Sequence, residues 1–146
     1  MIRFEALTKA DTVERWQSIR AFIDSACEQD IERKVTSGEL YTEVMRGRCF
    51  VLTIHDDDLT IGAAVMCRTP AYNGNCLMIR ALGGERMSDW LEGFSEYIES
   101  VARMKGATDG VLFCGRLGWI PALKKLGYKP VFTVMYKKLE GVNHGR

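Results

Sequence analysis

The sequence predicts a single α/β (α+β) domain in which helices cover both faces of a mixed sheet. Hydrophobic periodicity gives the element order β-α-α-β-β-β-α-β-α-β along the chain. A meander of three strands precedes an alternation of helices and strands in the second half, which favours a mixed sheet between helical layers. The length of 146 residues suits one domain. We assign residues 1–140 to that domain and residues 141–146 to a disordered tail.

The first three elements are marked by helix start and stop signals. Residues 2–6 alternate as a short strand. Thr8 or Asp11 can cap a helix whose apolar residues recur at helical spacing, at Val13, Trp16, Ile19, Ile23 and Cys27. A second helix is predicted at 37–46 and is ended by Gly47, because glycine readily adopts the left-handed cap conformation.

Three strands follow these helices. Residues 49–54 and 60–68 are predicted to form a hairpin around the aspartate-rich turn 56–58. A third strand is predicted at 76–81. The dipeptide 83–84 is Gly-Gly, which indicates a tight turn before the next helix.

The second half alternates helices and strands. A long amphipathic helix is predicted at 88–105, with an apolar stripe of Trp90, Leu91, Phe94, Tyr97, Ile98, Val101 and Met104. A short buried strand is expected at 110–114. The following helix, 117–126, carries Pro121 in its first turn, where proline is tolerated. A last strand is predicted at 131–136.

Composition argues against several classes of protein. The net charge is +1, and basic residues are interspersed with acidic ones, so no basic face for nucleic acid is expected. No apolar run approaches the roughly 20 residues that a membrane-spanning helix needs. The first residues lack the basic and apolar regions of a secretory signal, so we expect a cytoplasmic protein.

The five cysteines predict neither a disulfide framework nor a metal site. Their number is odd and no two are spaced as C-x-x-C. We interpret all of them as small hydrophobic residues, because no histidine is placed to activate a thiol. They are Cys27, Cys49, Cys67, Cys76 and Cys114.

Element order and two segments resemble the GNAT superfamily of acetyl-CoA-dependent N-acyltransferases. Residues 123–128 read Leu-Lys-Lys-Leu-Gly-Tyr and resemble the L-Y-E-K-L-G-F segment that closes the last helix of that family. Residues 76–106 lie where the family has its cofactor-binding strand, loop and helix. The resemblance implies a mostly antiparallel, twisted sheet and binding of acetyl-CoA or CoA. The sequences of residues 115–119 and 123–128 also resemble GNAT-like proteins encoded among structural genes of tailed phages. This second resemblance implies a virion-associated protein.

In the GNAT family, a loop with the motif Q/R-x-x-G-x-G/A binds the pyrophosphate of CoA. Two segments of this sequence match part of that motif. Residues 80–85, Arg-Ala-Leu-Gly-Gly-Glu, match the arginine and the first glycine; residues 86–91, Arg-Met-Ser-Asp-Trp-Leu, match the distance to the helix end. Glycines let the backbone approach phosphates, and a helix start offers free N–H groups. The expected cofactor-binding residues are Arg80, Gly83, Gly84, Arg86 and Ser88. The alternative is that Gly83 and Gly84 form only a tight turn and that Ser88 is only an N-cap.

The family's catalytic residues have no counterpart here. The tyrosine that often protonates the leaving thiolate aligns with Leu123, and the asparagine early in the last helix aligns with Arg116. Tyr128 aligns with a core aromatic. Glu85 lies near the expected cleft, but a solvated role is favoured; His55 is interpreted as part of a solvated turn. The general acid and base are therefore unassigned.

Three functions stay open from the sequence. The first is an acetyl-CoA-dependent N-acyltransferase acting on an amine. The second is a non-catalytic protein of the same fold, such as a phage virion or assembly component, that acts through a protein partner or as a homo-oligomer. The third is an unrelated α+β binding domain with the same element order. Carboxylates at the start of the long helix, and the single strand left after the last helix, favour the second function.

Overall fold

The computed structural model describes residues 1–28, 35–70, 74–114 and 119–131, together with residues 135, 137 and 139. Nine helices and strands lie in this part of the chain. The strands are β1 (Ile2–Ala6), β2 (Phe50–Asp56), β3 (Leu59–Thr69), β4 (Cys76–Gly84) and β5 (Gly110–Phe113). The α-helices are α1 (Lys9–Glu28), α2 (Ser37–Met45), α3 (Leu91–Met104) and α4 (Ile120–Lys125).

The strands form one sheet in the order β1-β2-β3-β4-β5. The first three neighbouring pairs are antiparallel, and β4 and β5 are parallel. The predicted mixed, mostly antiparallel sheet is therefore confirmed. The predicted last strand, 131–136, falls mostly outside the described residues, as do the tail 141–146 and the first two residues of the helix predicted at 117–126.

Each face of the sheet has its own hydrophobic core. One core joins α1 and α2 to the sheet and includes Trp16, Ile23, Leu40, Val51 and Val65. The other lies beneath α3, and its buried residues are Leu52, Ile54, Ile61, Ala64, Met66, Leu77, Ile79, Leu82, Trp90, Phe94, Ile98, Val101, Ala102 and Ala107. Burial of apolar area on both faces of the central strands stabilises the domain.

Most helix signals are where the sequence places them. Thr8 caps α1, since its Oγ1 accepts a hydrogen bond from the backbone N–H of Asp11 at 3.1 Å. Gly47 follows α2 with φ of 77°, as expected for a glycine that ends a helix. Two residues of the predicted apolar stripes are exposed instead of buried: Val13 on α1 and Met104 on α3. Thr12 takes the buried position near the start of α1.

Two β-bulges change the register of the sheet. In the β2–β3 hairpin, Ile54 pairs with Gly62 and His55 pairs with Thr60, so Ile61 is an extra residue on β3. Between β3 and β4, Val65 pairs with Ala81 and Met66 pairs with Ile79. Arg80 is consequently the extra residue on β4.

The end of β4 differs from the prediction. Gly83 and Gly84 pair with Ala63 and Gly62 of β3 and belong to the strand, so the turn predicted at these glycines is wrong. A β-carbon on Gly83 would lie 2.1 Å from the backbone oxygen of Phe22 in α1. One on Gly84 would lie 2.8 Å from the backbone oxygen of Ile61. Both glycines are therefore required by close packing of backbone on backbone.

The start of α3 also differs. The helix begins at Leu91, after a 3₁₀ turn at Met87–Asp89, and its N-cap residue is Trp90 without a side-chain cap. Ser88 lies within the 3₁₀ turn, so its predicted role as an N-cap is wrong. The indole N–H of Trp90 donates to the backbone oxygen of Glu85 at 2.7 Å, which fixes the path of the chain into the helix.

His55 is buried, contrary to the expectation of a solvated turn. Its side chain contacts the hydroxyls of Thr53 at 2.7 Å and Thr60 at 3.1 Å. Its Nε2 also lies 3.4 Å from a carboxylate oxygen of Glu5, which is paired with Arg15. Burial lowers the pKa of His55 below its usual value, and nearby Arg3 acts in the same direction. The neutral imidazole is thus part of the folded core beside α1.

Replacement of Gly83 by alanine tests the packing of β4 on α1. We expect Gly83→Ala to lower the free energy of unfolding by about 3 kcal/mol, because the contact is with backbone that cannot rotate away. Gly38→Ala is the matched control. Gly38 lies in α2 with only ordinary contacts, so alanine there should stabilise the protein by up to about 1 kcal/mol. Urea denaturation of both variants measures the difference; equal stabilities would contradict the close approach of β4 to α1.

The buried His55 predicts acid sensitivity. Its pKa is lower in the folded chain than in the unfolded chain, where it is about 6.5. Between pH 7 and pH 5 the unfolded chain therefore binds more protons than the folded chain. The free energy of unfolding falls as the pH falls, by at most about 1.4 kcal/mol per pH unit for this one group. In His55→Gln this part of the pH dependence should disappear. Urea titrations at several pH values measure it, and identical slopes in both proteins would refute the assignment.

Candidate active site

Strands β4 and β5 separate after four paired residues. The parallel pairing runs from Cys76 with Gly110 to Ile79 with Phe113, and the N–H of Cys114 donates to the backbone oxygen of Ile79 at 3.1 Å. Beyond this point β4 continues to Gly84 and pairs with β3 alone within the described part of the chain. Among the described residues, the edge of β4 beyond Ile79 therefore has no strand partner on the side of β5, and we call it the open edge.

Backbone polar groups of β4 face this open edge. The N–H of Glu85 donates to the backbone oxygen of Ile61 at 2.8 Å, so Glu85 faces β3. Successive residues of a strand alternate in the direction of their N–H and C=O groups. With the register of β3 and β4, this alternation directs the backbone groups of Leu82 and Gly84 away from β3 and towards the opening.

Arg80 lies where the strands begin to separate. As the extra residue of the β4 bulge it is half-buried, and its positive charge lowers the pKa of the nearby Cys49 thiol. Four residues of extended strand, about 13 Å, separate it from Gly84. The five expected cofactor-binding residues thus lie at different places: Arg80 at the bulge, Gly83 and Gly84 at the end of β4, and Arg86 and Ser88 in the connection to α3.

Arg86 is held by two carboxylates. It adopts the left-handed conformation with φ of 55°. Its Nη1 donates to Asp56 at 2.8 Å and its Nε donates to Asp89 at 3.0 Å. Asp56 ends β2 and also pairs with the amino group of Met1. Since β2 lies on the other side of β4 from β5, Arg86 extends away from the open edge.

The entry to α3 combines free backbone donors with acidic side chains. The first turn of a helix presents N–H groups without intrahelical partners, and its dipole attracts anions. Asp89 precedes this turn and Glu92 lies within it, because α3 begins later than the sequence predicts. A phosphate here would meet the N–H groups together with carboxylates, and Arg86 neutralises part of that negative charge.

The aromatic residues near the end of β5 pack on one another. The ring of Phe113 contacts Trp119 at 5.2 Å and Tyr128 at 6.2 Å between centroids. Burial raises the pKa of Tyr128, and the nearby Ser95 of α3 acts in the opposite direction. Tyr128 is thus a half-buried aromatic residue that packs on the ring of Phe113. Leu123 is buried in α4, and Arg116, at the family's asparagine position, lies outside the described residues.

Two shallow depressions lie away from this edge. One is lined by Arg68, Thr69, Pro70, Gly74, Asn75 and Asp109, and the other by Asp24, Cys27, Glu28, Val35, Thr36 and Ser37. Among the described residues, no group of three or more His, Cys, Asp or Glu side chains could hold a metal ion. In the same part of the chain, no helix is long and apolar enough to cross a membrane.

Sequence reasoning missed one cluster of reactive side chains. Cys49, directly before β2, lies opposite Cys67 of β3, and Arg80 is close to both. Treating all five cysteines as independent small hydrophobic residues did not anticipate this arrangement. The predicted hairpin was the one available signal, because it brings residues near 49 close to residues near 67.

Comparison with known proteins gives a structural relationship without a sequence relationship. No family model and no curated protein matches the chain. An acetyltransferase of the GNAT family from Staphylococcus aureus has a similar structure, with a TM-score of 0.61, 14% identity, and coverage of 94% of this chain and 98% of the other. A predicted acetyltransferase from Clostridium acetobutylicum, solved with acetyl-CoA, has a TM-score of 0.66 at 14% identity and covers 99% and 100%.

An aminoglycoside acetyltransferase from an uncultured soil metagenomic sample is also similar, with a TM-score of 0.66, 12% identity, and coverage of 95% and 97%. Such low identities carry information about the fold alone. The shared architecture nevertheless extends over nearly the whole of each chain. Together with the element order and the sheet, this similarity leads to one conclusion: the chain has the GNAT fold.

Proposed function

We propose that the chain is an acetyl-CoA-dependent N-acyltransferase that acts on an amine. The observation that carries the proposal is the open edge of β4 between the bulge and α3. An extended amide-containing ligand could pair with such an edge as an added strand does. The structure with acetyl-CoA among the similar folds supports this donor. The aminoglycoside acetyltransferase supports an amine acceptor.

In this proposal each end of the edge has its own role. The backbone groups of Leu82 and Gly84 would hydrogen-bond to the amides of the CoA arm. The pyrophosphate would lie at the first turn of α3, where N–H groups are free. Arg80 is too far along β4 to share that phosphate and would lie near the acyl end. Arg86 and Ser88 would act in the connection to α3, and Gly83 and Gly84 would contribute backbone.

The chain's chemical contribution would be mainly positioning. Bound acetyl-CoA supplies a thioester that an amine can attack directly. Holding the two reactants together can contribute much of the rate acceleration. Backbone N–H groups near the bulge are suited to stabilise a developing oxyanion. Leu123 cannot donate a proton, so a general acid would have to come from another residue or from solvent.

Calorimetric titration with acetyl-CoA tests the donor. We expect the purified chain to bind with micromolar affinity, about −8 kcal/mol, at low salt. Free CoA should bind with similar affinity because the pyrophosphate and the amide-containing arm are common to both. Absence of heat and of any thermal shift at millimolar acetyl-CoA would overturn the proposal.

The charge balance at the start of α3 gives a sharper test. Asp89→Asn removes a carboxylate from the phosphate end and should tighten acetyl-CoA binding about three- to tenfold. Arg86→Ala leaves Asp89 without its partner and should weaken binding about tenfold. Arg80→Ala should change affinity less than threefold. Titration calorimetry measures all three variants.

The double variant Arg86→Ala/Asp89→Asn separates two roles of Arg86. If Arg86 acts by neutralising Asp89, the double variant binds about as well as the original chain. If Arg86 binds the phosphate directly, the double variant still binds acetyl-CoA more weakly than the original chain does. Glu96→Gln is the control, since Glu96 is exposed on α3 beyond its first turn and carries the same charge. An effect of Glu96→Gln as large as that of Asp89→Asn would argue against a local phosphate site.

A non-catalytic protein of the same fold is the second candidate. The engagement of Arg86 by Asp56 and Asp89 favours it, as does the use of Gly83 and Gly84 in internal packing. Its function would rest on a protein partner or on a second copy of the chain, and the phage resemblance of the sequence belongs to this candidate. Failure of the titrations above would select it over the enzyme.

A further inference from the structure

Cys49 and Cys67 lie directly opposite each other at the open end of the β2–β3 hairpin. Phe50 pairs with Met66 and Val51 pairs with Val65, so the next pair outward is Cys49 with Cys67. Both side chains are on the α1–α2 face of the sheet, where Cys49 is buried and Cys67 is half-buried. Each thiol shifts the pKa of the other, as expected for two sulfurs that lie close together.

The backbone gives this pair the geometry in which side chains approach closely. The backbone oxygen of Val51 accepts from the N–H of Leu7 at 2.8 Å, so Val51 faces β1 and does not exchange hydrogen bonds with β3. By alternation Cys49 also faces away from β3, and its N–H donates to Glu43 at 3.2 Å. Such pairs have Cα atoms about 4.5 Å apart. A disulfide spans Cα distances of roughly 4.4–6.8 Å.

The surroundings of the pair favour a thiolate. The hydrogen bond from Cys67 and the positive charge of Arg80 lower the pKa of Cys49 to about 7, against the opposing effects of burial and Glu43. The neighbouring thiolate raises the pKa of Cys67. Arg80 is available because the β4 bulge makes it an extra residue beside the hairpin. The pair therefore favours a thiolate on Cys49 and a thiol on Cys67.

We propose that Cys49 and Cys67 form an oxidisable dithiol that a hydroperoxide converts into an intrachain disulfide. The Cys49 thiolate attacks the peroxide oxygen, which gives a sulfenic acid on Cys49 and releases hydroxide. The sulfur of Cys67 then attacks the Cys49 sulfur, which forms the S–S bond as the hydroxyl leaves with the Cys67 proton as water. With hydrogen peroxide as the oxidant, both sulfurs are oxidised and one peroxide is reduced to one water and one hydroxide, which becomes a second water by taking a proton from solvent. This dithiol does not depend on the acyltransferase proposal.

Arg80 is a positioning residue in this reaction. Its positive charge lowers the pKa of the Cys49 thiol, so it stabilises the thiolate without taking part in the bond changes. Reduction of the disulfide by a dithiol reagent should restore both cysteines.

Peptide mapping after peroxide treatment tests the proposal. Cys49 and Cys67 lie in one tryptic peptide, 49–68, while the other three cysteines lie in separate peptides. The reduced, full-length chain is treated with one equivalent of hydrogen peroxide, alkylated and digested. We expect peptide 49–68 unalkylated and lighter by two hydrogens, and restored by dithiothreitol. A cross-link between peptides 49–68 and 106–116, or alkylation of both Cys49 and Cys67, would overturn the proposal.

Variants identify the attacking sulfur. Cys67→Ser should accumulate a sulfenic acid on Cys49 that dimedone labels, whereas Cys49→Ala should show neither label nor disulfide. Arg80→Gln should slow oxidation about five- to tenfold. Cys76→Ser, a change at a buried cysteine on β4, is the control and should oxidise at the original rate. Dimedone labelling of Cys67 in place of Cys49, or an unchanged rate in Arg80→Gln, would contradict the assigned roles.

Discussion

The architecture depends on the unequal pairing of the two edges of β4. One edge pairs with β3 through to Gly84, whereas the other pairs with β5 over four residues. Full pairing on both edges would leave no backbone group free for a ligand. Because α1 packs on one face of β4 and the other face lies in the core beneath α3, β4 is held in place beyond its last described pair with β5. The opening is thus supported by a rigid scaffold, which is the arrangement that a binding site requires.

The same strand explains why sequence motifs alone gave an ambiguous site. Gly83 and Gly84 resemble part of a phosphate-binding loop, yet both lie in the strand. They are glycines because the backbone of α1 at Gly83, and of β3 at Gly84, leaves no room for a β-carbon. Arg80 and Arg86 are both near the expected motif. Arg80 lies close to Cys49, however, and Arg86 is hydrogen-bonded to two carboxylates. A motif states which residues are present; their neighbours in the fold decide whether they are free to bind a ligand.

Periodicity and caps predicted the fold well because these are local properties. The order of elements, the cap at Thr8 and the helix end at Gly47 all follow from residues close in sequence. The bulges could not be predicted in this way. Near the turn, Asp56 pairs with Leu59, and this register continued along the hairpin would place Cys49 opposite Met66. The extra residue Ile61 shifts the register by one residue, so Cys49 lies opposite Cys67 instead. His55 was misjudged for a related reason, since its burial comes from α1 and β1, which are distant in sequence.

Amide chemical shifts of the isotopically labelled chain, recorded during a titration with CoA, test the central claim most directly. If the open edge of β4 is the acyl-CoA site, the amides of Leu82 and Gly84 and those of the first turn of α3 shift together. The amide of Leu77, which lies where β4 is paired on both sides, then stays unchanged. Shifts confined to the depression around Asn75 and Asp109, or no shifts at all, would contradict the account.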